Sequence, residues 1–456
     1  MVIGGSDTAD VSSIIDSQKL GSFNAFMAAW IFVILLIEGY DSAIVGFAAP
    51  FIAADLDLGK ESVGLLLGAS VAGILVGGPM FGYIGSRFGR RPGIASGAVL
   101  VGLPMVTAVW ASNTIELVML RFIAGIGIGG VMPLAFVMSM EFAPRHLRAT
   151  LTAAGATGVS LGGVLAALTA GFIGPHGGWQ PLFLIGGIAP LLAALLVWLF
   201  GPESPKYLAL RSDRKRELCA LLGRMRPDLR FDPDMRFYLS GEEQGRAVKL
   251  ANLFAGKLLF VSPVLWMAVI SIGMVVYFIQ SWTPTILTAA GYTPRLAAFA
   301  TSAFQIGAVF GPLVIGQLVD RFGMRPIMFS LAAAVPFIVM VGNFPHNLAS
   351  TCFALFGIGV TMIGSYVALI SCAGGFYPSS VRSIGIGSAS SLQKIGSISG
   401  ALAGIVLVAM PINLTFLVVA LPALVATFGA GLLLRIWTAP SKSGLTDRPV
   451  PGASSP

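Results

Sequence analysis

Residues 30–50, WIFVILLIEGYDSAIVGFAAP, hold two carboxylates, Glu38 and Asp41, inside a continuous apolar stretch. With its apolar flanks the stretch is long enough to cross a bilayer as a helix, and the i,i+3 spacing places both carboxylates on one helix face. A charge at the bilayer centre costs about 2.5–3.5 kcal/mol on insertion scales, so such residues usually face an aqueous cavity. The pair therefore predicts an ion, proton or substrate site. A helix-end pair, or a kink at Gly39 without a chemical role, is the alternative.

The composition around this stretch is that of a membrane protein. The chain is 56% hydrophobic and 11% charged, with a mean hydropathy of +0.87. Apolar segments of about 20 residues, the length that spans a hydrocarbon core, recur along the whole chain. We therefore expect an all-α integral membrane protein with twelve transmembrane helices, at about 24–50, 62–84, 93–111, 115–140, 150–173, 180–201, 258–283, 296–319, 326–345, 347–373, 384–409 and 411–436.

Basic residues are distributed unequally between the loops on the two sides of these spans. With the N-terminus in the cytoplasm, most of the 28 Lys and Arg residues fall in cytoplasmic segments. Only Lys60 and Arg295 fall outside, while Arg121 and Lys394 lie inside the membrane. This asymmetry follows the positive-inside rule and predicts that both termini are cytoplasmic. The sequence pI of about 9.6 is then a matter of topology, and nucleic-acid binding is not expected.

The chain also repeats itself. GYIGSRFGRRP at 82–92 and GQLVDRFGMRP at 316–326 lie about half the chain apart. We therefore expect two pseudo-symmetric six-helix bundles, a plan that transporters use to bind a substrate near the midplane by alternating access. The predicted units are a flexible N-terminal tail (1–23), the two bundles (24–201 and 258–436), a solvated central loop with short amphipathic helices (202–257) and a C-terminal tail (437–456).

Several of these segments resemble motifs of the major facilitator superfamily. The repeated loops at 82–92 and 316–326 are similar to its pattern G-x-x-x-D-R-x-G-R-R. RFIAGIGIGG at 121–130 resembles a fourth-helix motif linked with proton coupling, and PESPKYL at 202–208 resembles an element of the sugar and organic-acid branches. The resemblance implies the major facilitator fold and a secondary transporter.

Two further segments are similar to the aromatic acid:proton symporter family of that superfamily. They are EGYDSAIVGFAAP at 38–50 and FYPSSVRSIGIG at 376–387. This resemblance implies proton-coupled import of an aromatic carboxylate across a bacterial inner membrane. The chain departs from the family pattern at Glu38, where Asp is usual, at Ser86, where an acidic residue is usual, and at Lys394, where Arg is common. Lys keeps the positive charge but loses the planar fork that binds a carboxylate at two points.

Helix positions indicate how these charges can meet. Counted at 1.5 Å per residue, Asp41 and Arg121 lie at comparable depths of the first half, and Lys394 lies near the midplane of the second. We expect Glu38, Asp41 and Arg121 to serve proton coupling and Lys394 to bind the substrate anion. Pairing of Lys394 with Glu38 or Asp41 across the cavity is the alternative.

Polar and aromatic residues near the same depth could line a slot for an aromatic ring. Tyr277, Phe304 and Tyr366 are the candidates for ring contacts, and Gln305 is a candidate for a ring hydroxyl. Each of the aromatic residues has packing or lipid contact as its alternative role.

Charged residues at the cytoplasmic helix ends are candidates for gate ion pairs, with simple topology signals as the alternative. These candidates are Arg87, Arg90, Arg91, Glu141, Arg145, Asp320, Arg321, Arg325 and Arg382. The three cysteines and three histidines show no metal spacing or intramembrane relay. We expect no metal, no cofactor other than the coupling proton, no enzymatic activity and a functional monomer. Sugar or aliphatic organic-acid symport, for example of muconate, and proton-antiport export remain the alternative functions.

Overall fold

Helices account for most of the chain. The computed structural model describes residues 8–18, 21–144, 148–232, 234–239, 253–343, 347–377 and 379–438. The first half contains helices α2 to α7, which are Ser22–Asp55, Lys60–Phe88, Arg90–Thr107, Thr114–Phe142, Arg148–Gly177 and Gln180–Phe200. The second half contains helices α10 to α16, which are Leu258–Ala289, Pro294–Phe322, Arg325–Asn343, Leu348–Ile358, Gly364–Phe376, Ser379–Leu407 and Ile412–Thr438.

Twelve membrane-length rods follow from these helices, because α13 and α14 continue into each other through a π-helical turn at Gly359–Ile363. Within the described ranges, 11 of the rods are long and apolar enough to span a membrane by length and composition. The remaining one, α15, is 29 residues long but more polar, since it carries Gln393, Lys394 and several serines. The prediction of an all-α protein with twelve transmembrane helices is confirmed.

Both copies of the repeated loop end a long helix at a glycine with positive φ. Gly89 (φ 114°) follows α3 and Gly323 (φ 68°) follows α11. Glycine adopts this conformation without the steric penalty of a side chain. Each reversal is therefore encoded in the Phe-Gly-x-Arg-Pro segment of the repeat, and it sends the next helix back across the membrane.

Glycines also bring neighbouring helices within backbone contact. A Cβ atom on Gly77 of α3 would lie 2.0 Å from the Ile126 carbonyl oxygen of α5, and one on Gly125 would lie 2.1 Å from the Ser70 oxygen. Helices α2 and α6 meet in the same way, with Gly39 against Val159 and Gly162 against Leu36. Such contacts matter in lipid, where van der Waals packing rather than apolar burial drives helix association.

The two halves touch each other toward one side of the membrane. We call the side that holds residues 201–232 the central-loop face and the other side the opposite face. Between the halves, a Cβ atom on Gly46 of α2 would lie 2.7 Å from the Gln280 oxygen of α10. Near the opposite face, Gly64 of α3 packs against Ile405 of α15, and the Lys60 Nζ donates to the Val408 oxygen at 3.3 Å. These contacts belong to a state that is closed at the opposite face.

The N-terminal segment and the central loop differ from expectation. Strand β1 (Thr8–Asp10) pairs in parallel with β2 (Arg236–Tyr238). Helices α1 (Val11–Asp16), α8 (Pro205–Ala209) and α9 (Lys215–Met225) share one apolar cluster with residues of both strands. The expectation of a flexible tail was wrong for residues 8–16, whereas the short amphipathic helices expected in the central loop are present and pack on the first half. The physical reason is the apolar face of α9, where Leu218, Leu221, Leu222 and Met225 are buried in the core of the first half.

The glycine contacts predict the outcome of a pair of substitutions on α3. Gly77→Ala should separate α3 from α5 and lower the free energy of unfolding by about 1–3 kcal/mol, as overpacking does. Gly82→Ala is the matched control, because no atom lies within 4 Å of its Cβ position and alanine favours a helix. Melting temperatures in detergent compare the two variants. Equal melting temperatures would show that the α3–α5 contact can relax.

Candidate functional site

The carboxylates of the first membrane helix are both buried. Asp41 is 0% exposed and Glu38 is 1% exposed. Close packing of α2 on α6 at Gly39 holds this part of the helix in place. Among the described atoms, Glu38 Oε2 and Asp41 Oδ2 have no hydrogen-bond partner. Each carboxylate therefore has an oxygen that is available to a proton.

Arg121 of α5 forms an ion pair with Asp41 inside the first half. The Nη1–Oδ1 distance is 3.1 Å, and both side chains are buried. The guanidinium Nε also donates to the Ser70 hydroxyl of α3 at 3.0 Å, and the Cζ atom lies 5.9 Å from the centre of the Phe183 ring of α7. The structure thus brings Asp41 and Arg121 together, as their comparable depths along the helices allow.

Lys394 stands on the other half, next to two tyrosines. Glycines 396 and 400 bring α15 into backbone contact with α10, and the Lys394 Nζ lies 5.7 Å from the centre of the Tyr277 ring. Lys394 also acts electrostatically on Tyr366 of α14. No carboxylate of the described residues lies within 4.0 Å of this ammonium group. The alternative pairing with Glu38 or Asp41 is not made in this state.

The remaining ring-slot candidates have different surroundings. Phe304 is 1% exposed and packs in the apolar core of the second half. The Gln305 amide reaches the first half, because a Cβ atom on Gly163 of α6 would lie 2.5 Å from it. Tyr277 and Tyr366 are therefore grouped with Lys394, whereas Phe304 and Gln305 occupy the packed contact region.

A small cavity lies between the ion pair and the tyrosine. Its polar lining consists of Ser42, Ser70, Tyr277, Gln280 and Ser281, and its volume is about 20 Å³. A cavity of that size with several polar groups can hold about one water molecule. Ser70 contacts Arg121, and Tyr277 contacts Lys394, so the cavity links the charged groups of both halves.

In the first half, the charged residues at the central-loop face are held by specific contacts. Arg90 pairs with Glu141 at 3.1 Å. Glu203, from the PESPKYL segment, accepts hydrogen bonds from the backbone N–H groups of Arg90 at 2.8 Å and of Arg91 at 3.3 Å. A carboxylate at a helix N-terminus satisfies free N–H groups and complements the helix dipole. Burial raises the pKa of Glu203, while these hydrogen bonds act in the opposite direction.

In the second half, the corresponding candidates are exposed. Asp320, Arg321, Arg325 and Arg382 all have exposed side chains. Within the described ranges, none of the four forms an ion pair. Arg87 of the first half is exposed as well, and Arg145 lies outside the described residues. The structure therefore brings together only part of the predicted gate set, and the gating roles stay predictions.

Two residues of these networks were missed from the sequence. Ser70 is a polar residue in an apolar helix, and that contrast is the one signal that could have found it. Glu203 lies in a recognised motif, but no local pattern indicates that it caps α4 from a distant loop. Among the residues that the structure describes, no group of three or more His, Cys, Asp or Glu side chains could hold a metal ion.

Comparison with known proteins identifies the family. The model of the Major Facilitator Superfamily matches residues 31–401. The chain is 30% identical to the 4-hydroxybenzoate transporter PcaK of Pseudomonas putida, over 92% of this chain and 94% of that protein. It is 28% identical to the gallate transporter of Pseudomonas putida, over 91% of this chain and 93% of that protein.

A solved structure supports the same assignment of the fold. The xylose transporter XylE from E. coli, in a partially occluded inward-open conformation, superposes with a TM-score of 0.69 and 17% identity, over 93% of this chain and 100% of that chain. The chain belongs to the Major Facilitator Superfamily. It is therefore a multi-pass membrane transporter and not an enzyme.

The cap from Glu203 predicts a stability effect. Glu203→Ala should lower the free energy of unfolding by about 0.5–2 kcal/mol, the usual loss on removal of a helix cap. Glu203→Gln should retain most of it, since the amide oxygen can accept the same hydrogen bonds. Thermal unfolding in detergent measures both variants, and Glu203→Gln is the control that keeps the hydrogen bonds while it removes the charge.

The raised pKa of Glu203 also has a pH consequence. Because the folded protein binds this proton more tightly, the protonated Glu203 stabilises the fold. This stabilisation is fully present below the ordinary pKa of a glutamate and is lost as the pH rises through the raised pKa of the folded protein. Glu203→Gln should therefore show a flatter dependence of melting temperature on pH than the unmodified protein. Parallel curves for the two proteins would contradict this assignment.

Proposed function

We propose that this protein imports a small aromatic carboxylate together with protons across a bacterial inner membrane by alternating access. Both termini and the central-loop face then lie in the cytoplasm, as the distribution of Lys and Arg favours. The state described above is accordingly closed to the outside. No cofactor other than the coupling proton is required, and the monomer is the functional unit.

The observation that carries the proposal is the arrangement of charges on facing halves. One half holds a buried acid with its arginine, Asp41 and Arg121. The other half holds Lys394, which no described carboxylate neutralises and which two tyrosines flank. Such an ammonium group inside a membrane protein favours an anionic partner. The tyrosine rings favour a partner that is also aromatic.

The relatives support the choice of substrate class. Their printed names refer to 4-hydroxybenzoate, gallate and benzoate, which are all small aromatic carboxylates. We extend that class to this chain, because the carboxylate of such a substrate would meet Lys394 and the ring of the substrate would meet Tyr277 and Tyr366. A sugar would leave the charge of Lys394 without a partner.

Proton coupling would proceed through Asp41. When the carboxylate accepts a proton, it loses its charge and its attraction to Arg121. The ion pair then no longer holds the first half closed. The substrate anion supplies a negative charge to Lys394 in the loaded cavity. After reorientation, the proton leaves for the cytoplasm and the ion pair forms again. Glu38 is the second site at which a proton can be bound.

The proposed role of Asp41 predicts that its substitution stops the accumulation of substrate but not the exchange of substrate. In proteoliposomes, labelled 4-hydroxybenzoate should accumulate under an inward proton gradient, and Asp41→Asn should reduce this to the level without a gradient. Counterflow of labelled against unlabelled substrate should persist, because it needs no net proton movement. A panel of aromatic acids, muconate and glucose tests the substrate class by competition. Unchanged accumulation by Asp41→Asn would exclude Asp41 as the carrier.

The proposed role of Lys394 predicts that its substitution lowers the affinity for the substrate. Lys394→Gln should weaken binding by roughly 10- to 150-fold, because a hydrogen bond to a charged group contributes about 1.5–3 kcal/mol. Lys394→Arg should retain most of the affinity, since it keeps the charge. Lys257→Gln, an exposed lysine at the start of α10, removes the same charge away from the site. Equal affinities for Lys394→Gln and this control would move the anion site elsewhere.

A further inference from the structure

The hydrogen bond between Arg121 and Ser70 limits how the arginine can hold Asp41. A guanidinium group presents its N–H donors in a planar fork that can grip both oxygens of a carboxylate. Here Nη1 donates to Asp41 Oδ1 at 3.1 Å, while Nε donates to Ser70 Oγ at 3.0 Å. The Nη2 group, which forms a fork with Nη1, donates to the Asp41 main-chain oxygen at 3.5 Å. Ser70 holds the Nε edge of the guanidinium and so fixes the orientation in which Nη1 alone meets the side-chain carboxylate.

The second oxygen of Asp41 is correspondingly free. Asp41 Oδ2 is buried and has no hydrogen-bond partner among the described residues. The Asp41–Arg121 pair is therefore held through one oxygen, although both partners are almost fully buried. From this geometry we propose that Ser70 is a positioning residue for proton coupling: it keeps Arg121 on a single oxygen of Asp41, so that the other oxygen stays available to the proton.

The backbone fixes Ser70 in this position. A Cβ atom on Gly125 of α5 would lie 2.1 Å from the Ser70 carbonyl oxygen, and one on Gly73 of α3 would lie 2.2 Å from the Phe122 oxygen. These contacts lie within about one helical turn of Arg121, so they hold the backbones of Ser70 and Arg121 close together. The hydrogen bond is therefore built into the helix packing.

A space large enough for one water molecule lies near the pair. Ser70 and Ser42, which follows Asp41 in the chain, line the cavity of about 20 Å³ described above. Because the Ser70 oxygen accepts from Arg121, its own O–H remains available to donate into that cavity. One water molecule there has the polar partners that it needs.

The charged and titratable surroundings of Asp41 are few. Asp41 interacts electrostatically with Glu38 and Tyr40 on its own helix and with Arg121 on α5. The groups that other helices bring to the pair are neutral: Ser70 of α3, Met105 of α4 and Phe183 of α7 contact Arg121. Gly186 of α7 lies beside Asp41, because a Cβ atom on it would be 3.6 Å from Asp41 Oδ1. Tyr277 of α10 lies across the small cavity. A change at Ser70 therefore acts on the Asp41 proton mainly through Arg121.

The inference rests on the proposed function of Asp41 and predicts a shift in the pH profile. In Ser70→Ala, the guanidinium is free to rotate so that its Nε and Nη2 edge faces both oxygens of Asp41, and a carboxylate gripped at both oxygens takes up a proton less readily. The external pH for half-maximal gradient-driven uptake should then move to more acidic values by roughly one pH unit. Ser70→Thr, which retains the hydroxyl, should restore the profile of the unmodified protein.

The experiment measures uptake of labelled 4-hydroxybenzoate into proteoliposomes over a series of external pH values at fixed internal pH. Counterflow at each pH reports whether the folded substrate site is intact. Ser302→Ala is the matched control, because Ser302 and Ser70 are both 8% exposed and the Ser302 hydroxyl bonds only within its own helix, to the Phe299 oxygen. It should leave the profile unchanged.

The outcomes separate this inference from the proposed function. An acidic shift in Ser70→Ala with normal counterflow, restored by Ser70→Thr, supports it. An unshifted profile, or a shift shared by Ser302→Ala, overturns it and leaves the role of Asp41 intact. Loss of counterflow in Ser70→Ala would mean that Ser70 serves the fold or the substrate site, which also overturns it. If Asp41→Asn still accumulates substrate under a gradient, the proposed function and this inference fail together.

Discussion

The ion pair between Asp41 and Arg121 is the interaction around which the first half is organised. Two charges that are almost completely buried lose the solvation that water would give them, and their mutual attraction offsets this loss only with good geometry and further hydrogen bonds. Ser70 and the Phe183 ring supply such contacts from two more helices. This cluster therefore connects α2, α3, α5 and α7 at a depth where lipid offers no groups that could solvate the charges.

Close helix contacts are what deliver each polar group to its place. Lipid tails are as apolar as leucine, so helices in a bilayer associate through fitted surfaces rather than through burial of apolar area. Gly125 brings α5 against the backbone at Ser70, and Gly396 brings α15 against α10 beside Lys394. The chain has 57 glycines, and the close backbone contacts at Gly125 and Gly396 help to position the polar side chains of the site.

Much of the fold could be predicted from the sequence, because apolar length, charge asymmetry and the repeated loop are local features. The meeting of Asp41 with Arg121 could also be anticipated, since depth along a straight helix follows from residue counts. The role of Ser70 could not, because helix rotation and packing decide which polar residue faces an arginine. For the same reason, the sequence could not decide between ring contact and packing for Phe304, which is buried in the apolar core. The strand pair of Thr8–Asp10 with Arg236–Tyr238 joins segments too distant for any periodicity to connect.

The two copies of the repeated loop show how one motif is used differently by the two halves. In the first copy, Ser86 stands where the second copy has Asp320, and Glu203 from the central loop supplies the carboxylate that caps the following helix. This loop is fixed within its own half. The second copy has no such described partner, and its charged side chains are exposed to solvent. The contacts between the halves lie instead toward the opposite face. Exposed charges at one face and packed helices at the other distinguish the two faces of the protein.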